Sequence, residues 1–410
     1  MDNGNADRDA RTMNRRWLLQ RAAWAAGAIA TGVGSWIIRP EWASAAGPIK
    51  VGIATDLTGA IGYAGNANAN VARMVVKDIN DGGGILGRPI TLLIEDTASN
   101  ESVAVGNVRK LIQRDKVDVV LGGITSSMRN AIKDVIVSRG KTLYIYPELY
   151  EGGECTPHLF CTGPTPAQQC DDFIPWLIKN GAKRFALPSA NYVWPHKLNE
   201  YARKVIEKSG GEVIFEEYYP LDQVEYSATV NEIMTNNVDM VFTTVISPGV
   251  GPLFKQLYEA GYEKRGGRLA CVYYDEDTLT INAPHEIEGL ASCLDYFRAV
   301  INDDPASARI QAEYDKQFPG KILLSAGSGA TGMYRGLKLW EAAVKEAGDL
   351  DRDAVAKALD HAKISEGPGG PAEMVPGERH CKMKMYTAVA KGGNYEIVAR
   401  SDGLVDPKTC

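Results

Sequence analysis

The chain has 410 residues, of which 45% are hydrophobic and 23% charged, and its formal net charge is −6. This much apolar material can fill two packed cores, so we expect a two-domain soluble protein. Nucleic acid and anionic membrane surfaces need clustered cations, which the sequence lacks, so we expect neither as a partner.

The first 45 residues have the features of a targeting segment. Arg15 and Arg16 precede an uncharged stretch, 22–38, which is rich in alanine and glycine, and Ala43-Ser44-Ala45 offers a small-x-small cleavage site. The paired arginines resemble a twin-arginine signal, with an ordinary Sec signal or an uncleaved anchor as alternatives. The pattern predicts a removable signal peptide at 1–45 and a periplasmic protein.

The seven cysteines suit an exported protein. Cys155 and Cys161 flank a short loop and are a candidate disulfide, Cys170 is a rival partner, and the odd count leaves at least one thiol unpaired. The five histidines are scattered singly and no CxxC occurs, so we expect neither a metal site nor a cofactor.

Strands and helices alternate from residue 49 onward. An apolar run at 49–55 predicts a strand buried on both faces, and a helix at 66–80 packs its periodic apolar residues against that strand. A strand at 90–95 and a further helix precede the stretch 117–154, which is a strand-helix-strand unit. This order predicts a parallel sheet covered on both faces.

A second series follows the Pro- and Gly-rich linker 162–166. Its predicted strands are 184–187, 212–219, 239–245 and 268–274, and its predicted helices are 195–208, 227–236 and 250–260. Two such series predict two similar α/β lobes.

The last third is less regular. Helices are predicted at 306–317, 329–347 and 351–361, and a strand pair at 382–391 and 395–401. Periodicity does not say which lobe these elements join.

Polar residues gather where the strand at 117–122 ends. Gly122 and Gly123 let a ligand approach the main chain, and Ser126 and Ser127 can donate hydroxyl groups at the start of a helix. Ligands of parallel sheets bind at such strand ends. The alternative is that a serine only caps the helix, and both roles can coexist.

Several motifs resemble the type I periplasmic solute-binding proteins of ABC importers, in the branched-chain amino-acid and amide group. They are INDGGGILGRPITLLIEDTAS, VVLGGITSS, YPELYEGGECTPHLFCTGPTPAQQ and GPGGPAEM. The Tyr-Pro-x-x-Tyr-Glu-Gly segment is similar to the urea and short-chain amide branch. The resemblance implies two Rossmann-like lobes, three interlobe crossings and delivery of a small solute to membrane permease subunits. It places 46–164 and about 293–347 in the first lobe, and 165–292 and about 348–410 in the second.

The resemblance also implies site residues in the first lobe. Ser126 matches a position that contacts the ligand carbonyl, Tyr146 matches a pocket tyrosine, and Tyr63 is a candidate lid over the cleft. Glu148 and Ile124 depart from the amide-binder pattern. A buried carboxylate at 148 would suit a ligand amide, urea or ammonium group, although an exposed loop glutamate is the plain alternative.

In the second lobe, Tyr192 matches a family position that closes over the ligand. Trp194 is a candidate wall behind it, with packing under the loop as the alternative. Thr244, Asp275 and Glu276 follow strand ends, where one of the acids could receive a ligand amine.

The sequence lacks a recognisable set of catalytic residues. No Gly-x-Ser-x-Gly elbow, Walker motif or Rossmann fingerprint follows a strand, so an amide hydrolase is disfavoured. We therefore expect a binding protein whose ligand is urea or a short-chain amide. Branched-chain or other amino acids are the alternative, and a small aromatic acid is a further one.

Overall fold

The computed structural model describes residues 47–325 and 329–410, so the predicted signal peptide lies outside the described residues. The strands are β1 (Ile49–Thr55), β2 (Ile90–Asp96), β3 (Val119–Gly122), β4 (Leu143–Tyr146), β5 (Leu159–Cys161), β6 (Arg184–Ala190), β7 (Glu212–Tyr219), β8 (Met240–Thr243), β9 (Arg268–Cys271), β10 (Ala291–Leu294), β11 (Lys363–Ile364), β12 (Ala372–Val375), β13 (His380–Met383), β14 (Tyr386–Lys391) and β15 (Asn394–Arg400).

The α-helices are α1 (Gly62–Asp81), α2 (Glu101–Arg109), α3 (Ser126–Lys133), α4 (Pro166–Cys170), α5 (Phe173–Lys179), α6 (Val193–Lys208), α7 (Ser227–Thr235), α8 (Val250–Glu259), α9 (Glu276–Leu279), α10 (Pro305–Gln317), α11 (Ala330–Ala347) and α12 (Arg352–Leu359). Wider π-type turns extend α2 through Lys110–Arg114 and α3 through Asp134–Arg139. Short 3-10 turns lie at Glu263–Arg265, Pro284–Glu286 and Arg298–Asn302. Among the described residues, no helix combines the length and apolar character needed to cross a membrane.

Two mainly parallel sheets confirm the predicted α/β fold class. The first has eight strands in the order β11-β12-β13-β5-β4-β3-β1-β2, and the second has seven in the order β15-β14-β10-β9-β8-β6-β7. Every residue of β3 and β4 is buried, as expected for strands covered on both faces. Helix α1 buries Val71, Met74, Val75 and Ile79 against this sheet, and it begins four residues before the predicted start.

The chain passes between the sheets three times, after β5, after β10 and after β13. The hairpin β14-β15 joins the second sheet, as the resemblance implied. The expected division placed all residues after about 348 in the second lobe. Strands β11 to β13 instead belong to the first sheet, because β13 aligns in parallel with β5 through His380 and Cys161. The other lobe boundaries stay a prediction.

The disulfide joins Cys155 to Cys410, with a Cα–Cα distance of 5.7 Å, so the predicted Cys155–Cys161 pair is wrong. Cys161 lies in β5, where it is fully buried in the core. The C-terminal segment instead runs back to the loop after β4, where the Gly153 amide donates to the Thr409 hydroxyl (2.6 Å). The predicted alternative partner, Cys170, is also a buried free thiol.

Candidate functional site

A cavity of about 60 Å³ lies at the strand ends where the two lobes face each other. Its lining residues come from both lobes and are mostly aromatic or aliphatic: Ile61, Tyr63, Ala64, Ile124, Thr125, Ser126, Glu148, Leu149, Tyr192, Trp194, Ile246 and Tyr273. Five of the predicted site residues are therefore brought together, namely Tyr63, Ser126, Glu148, Tyr192 and Trp194.

Three polar residues start helix α3 at the edge of the cavity. Thr125 caps the helix, since its hydroxyl accepts from the Met128 amide at 3.1 Å. Ser126 is buried, and its hydroxyl donates to the Glu151 carboxylate. Ser127 does not line the cavity; its hydroxyl lies 3.0 Å from that of Thr125. Thr125 thus caps the helix, and its neighbour Ser126 is the candidate ligand-binding residue.

A buried arginine supports the first-lobe wall. The Arg129 side chain is only 4% exposed, and its Nη2 donates to Glu151 at 2.7 Å. The guanidinium carbon lies 5.0 Å from the ring centroid of Tyr146 and 4.7 Å from that of Tyr150. Tyr146 does not line the cavity; its hydroxyl donates to the carbonyl of the lining residue Ile124 (2.7 Å). Tyr146 therefore shapes the wall at Ile124.

Glu148 is buried rather than an exposed loop residue. Its Oε1 accepts from Asn68 at 2.6 Å, and its Oε2 lies against Gly329, where an added Cβ would be 2.0 Å away. Gly329 begins α11, and a helix N-terminus favours a carboxylate. Burial raises the pKa of Glu148 well above its usual range, the Asn68 hydrogen bond opposes the rise, and the charge of Asp56 adds to it.

The second lobe supplies aromatic rings. Tyr192 precedes α6, and its ring centroid lies 6.1 Å from that of Trp194. Trp194 is 3% exposed and meets Tyr273 edge to face, with centroids 6.1 Å apart. Trp194 therefore both lines the cavity and packs under the loop, so its two expected roles coexist.

Three predicted residues of the second lobe do not line the cavity. Thr244 is fully buried between strands, and its amide donates to the Pro188 carbonyl at 3.3 Å. Asp275 caps α9 by accepting from the Thr278 amide at 3.0 Å. Glu276 accepts from the Arg298 amide at 2.5 Å, and burial together with the charge of Asp275 raises its pKa to about 8.

Tyr63 connects the cavity to these acids. Burial raises the pKa of its phenol, and the negative charges of Asp275, Asp277 and Glu148 raise it further. Tyr63 thus lies near carboxyl groups from both lobes.

Sequence reasoning missed the residues that support the lining. Arg129 lies three residues after Ser126 on the same helix, a spacing that could have indicated a shared face. Asn68 belongs to α1, and Tyr273 follows β9, so only the fold brings them to this site. The sequence carries no local signal for either.

A sequence profile of the periplasmic binding protein family matches residues 48–394. An amino acid binding protein from Pseudomonas aeruginosa is 26% identical over 59% of this chain and 66% of that protein. The leucine-, isoleucine-, valine-, threonine- and alanine-binding protein of the same organism is 26% identical over 80% of this chain and 86% of its own length. The first match spans just under two thirds of the relative.

Solved structures share the whole fold. A solute-binding protein of an ABC transporter from Rhodopseudomonas palustris, in complex with 3,4-dihydroxybenzoic acid, matches with a TM-score of 0.77 and 23% identity, over 88% of this chain and 99% of that one. A leucine-binding protein from Thermotoga maritima gives a TM-score of 0.76 and 18% identity, over 86% and 98%. The family profile covers most of the chain, so the protein belongs to the periplasmic binding proteins, a family that binds solutes without catalysis.

Proposed function

We propose that this protein is the solute-binding component of an ABC importer and captures an aliphatic amino acid between its two lobes. The observation that carries the proposal is a cavity walled by Tyr63 and Ser126 from the first lobe and by Tyr192 and Trp194 from the second. A ligand held by both walls stabilises the closed form, which is then presented to membrane permease subunits.

The apolar part of the cavity suits an aliphatic side chain. Ile61, Ile124, Leu149 and Ile246 line it and offer no hydrogen-bonding side chain. Burying a ligand methylene against such residues contributes about 0.8 kcal/mol. Ile124, which departs from the amide-binder pattern, is explained by this use.

The charges near the cavity suit an ammonium group. Glu148 lines the cavity; burial raises its pKa, and an ammonium group bound beside it would favour its ionised form. Asp275 and Asp277 lie close enough to Tyr63 to raise the pKa of its phenol. A ligand that brings only a carboxylate, such as a benzoate, would leave these carboxyl groups without a positive partner. An amino acid brings a positive charge to the acids and can place its own carboxylate at the N-terminus of α3, beside Ser126.

A short-chain amide or urea is the second candidate. The cavity volume of about 60 Å³ suits a ligand of this size as the lobes stand, whereas an aliphatic amino acid needs the lobes to open further. The raised pKa of Glu148 favours its neutral form, which can donate to an amide oxygen and accept from an amide nitrogen. The named relatives favour the amino acid over this candidate.

Thermal shift separates the candidates. The mature protein is heated with leucine, isoleucine, valine, acetamide, urea or benzoate, and a ligand at 100 times its Kd adds about 2.7 kcal/mol of stability. We expect the aliphatic amino acids to give the largest shifts. Stabilisation by amides alone would select the second candidate, and stabilisation by benzoate alone would contradict the charge argument. Release of ammonia from an amide would contradict the binding function itself.

A pair of serine variants tests the site. Ser126→Ala should weaken binding, because it removes a hydroxyl from the cavity wall and releases Glu151. Ser127→Ala is the matched control, since Ser127 belongs to the same turn and lies outside the cavity lining. Calorimetry should show a Kd raised about tenfold or more in the first variant only, which corresponds to about 1.4 kcal/mol. Equal affinities in both variants would discard Ser126.

A further inference from the structure

A buried ion pair lies where the chain passes between the two lobes. Asp295 follows β10 on the second crossing, and Arg335 lies on α11 of the first lobe. Their side chains are 0% and 2% exposed, and Arg335 Nη1 pairs with Asp295 Oδ2. Neither Asp295 nor Arg335 lines the cavity, so the site described above does not use the pair.

Arg335 also holds the first crossing. Its Nε donates to the carbonyl of Thr162, the residue after β5, at 2.9 Å. The Thr162 hydroxyl returns a hydrogen bond to the Gly332 carbonyl at 2.8 Å, and Thr331 donates to Asp295 Oδ2 at 2.7 Å. One guanidinium group therefore binds two of the three crossings at once. We call Thr162, Asp295, Thr331 and Arg335 the hinge cluster.

The third crossing is linked to this cluster indirectly, through Gly369. The Asp295 carbonyl lies against Gly369, where an added Cβ would be 2.1 Å away. The Gly369 carbonyl accepts from the hydroxyl of Tyr386 at 2.9 Å, and Tyr386 is the first residue of β14, directly after the third crossing. Gly369, which lies between β11 and β12, thus links Asp295 of the second crossing to the residue that begins β14.

The cluster leaves two polar atoms unsatisfied. Asp295 Oδ1 and Arg335 Nη2 are buried and have no hydrogen-bond partner within the described parts of the chain. Unpaired buried polar atoms are costly, and in native proteins they need an explanation. A change of hydrogen-bond partners when the lobes open would explain both atoms, because each would then be hydrogen-bonded in the open form.

We propose that Arg335 and Asp295 are positioning residues that couple the interlobe crossings and set the population of the closed form. They do so by making the first and second crossings move together, since one guanidinium fork holds both. Neither residue touches the ligand, so this role is independent of which solute the cavity takes.

The test measures the distance across the mouth of the cleft without any ligand. Helices α3 and α6 approach each other there, and Asn130 and Lys197 are exposed residues on them. Cysteines introduced at these two positions can be spin-labelled selectively, because the five free cysteines of the described chain are all buried. Electron–electron double resonance then reports the distribution of label distances in the full mature chain.

Arg335→Lys keeps the positive charge beside Asp295 and loses the fork that also reaches Thr162. We expect the population at the short, closed distance to fall at least threefold. Lys338→Met is the control, since Lys338 lies on the same helix outside the hinge cluster and its ammonium group donates to Glu341 of that helix, so its distances should equal those of the parent. Should Arg335→Lys not fold, Asp295→Asn replaces it. Unchanged distances in a folded hinge variant, or an equal change in the control, would overturn the proposal.

Discussion

Replacing Cys155 and Cys410 by serine should lower the free energy of unfolding by several kcal/mol. The two cysteines are 255 residues apart in sequence, so their bond restricts almost the whole described chain in the unfolded state. The loop-entropy relation gives about 5.5 kcal/mol for this separation at 25 °C. A bond from Cys155 to Cys161 would close a loop of about six residues and contribute about 2.2 kcal/mol by the same relation.

Urea denaturation of the oxidised protein and of the Cys155→Ser/Cys410→Ser variant measures this difference. Cys161→Ser is the control, because it removes a buried free thiol and leaves the disulfide in place. Mass spectrometry of a non-reduced digest should link the peptides that contain Cys155 and Cys410. A difference of less than about 1 kcal/mol, or a linked Cys155–Cys161 peptide, would refute the reasoning.

Three further variants test particular contacts. Gly329→Ala should lower the free energy of unfolding by at least about 2 kcal/mol, since it combines a left-handed backbone (φ 78°) with a clash against Glu148. Gly348→Ala at the other end of α11 is the control and should cost less, because it also has a left-handed backbone but open space around the added Cβ. Thermal melts should rank the two, and equal losses would argue against the clash. Glu276→Gln should become more stable relative to the parent as pH rises from about 5 to about 8. In this range the raised pKa of Glu276 keeps its carboxyl neutral in the folded parent, while the same carboxyl ionises in the unfolded chain, so only the parent loses stability. Parallel curves of melting temperature against pH would contradict this. Ser126→Ala should raise the Kd, as measured by calorimetry against its neighbouring serine control.

The sequence predicts most of the fold because its signals are local. Apolar runs such as Ile49–Thr55 specify buried strands, and the spacing of Val71, Val75 and Ile79 specifies the inner face of α1. The early start of α1 was missed, since Gly62 and Gly65 are poor helix formers. Gly65 is required there by contact, because an added Cβ would meet the Asp56 carbonyl at 1.8 Å.

Interactions between distant segments could not be read from the sequence. The pairing of Cys155 with Cys410 depends on the path of the C-terminal segment, and the placement of β11 to β13 depends on one strand reaching β5. The strand-end rule selected Ser126, which lines the cavity, but it also selected Thr244 and Asp275, which do not. Their side chains serve strand packing and a helix cap instead, which strand-end position alone does not reveal.

Isothermal titration calorimetry of the mature protein with isoleucine tests the central claim most directly. We expect saturable binding of one isoleucine per chain, with a negative heat-capacity change from burial of apolar surface. We also expect Tyr192→Ala, which removes part of the second-lobe wall, to abolish or strongly weaken this binding. Absence of binding by isoleucine, leucine and valine in a folded protein, or full affinity in Tyr192→Ala, would contradict capture of an aliphatic amino acid between the two lobes.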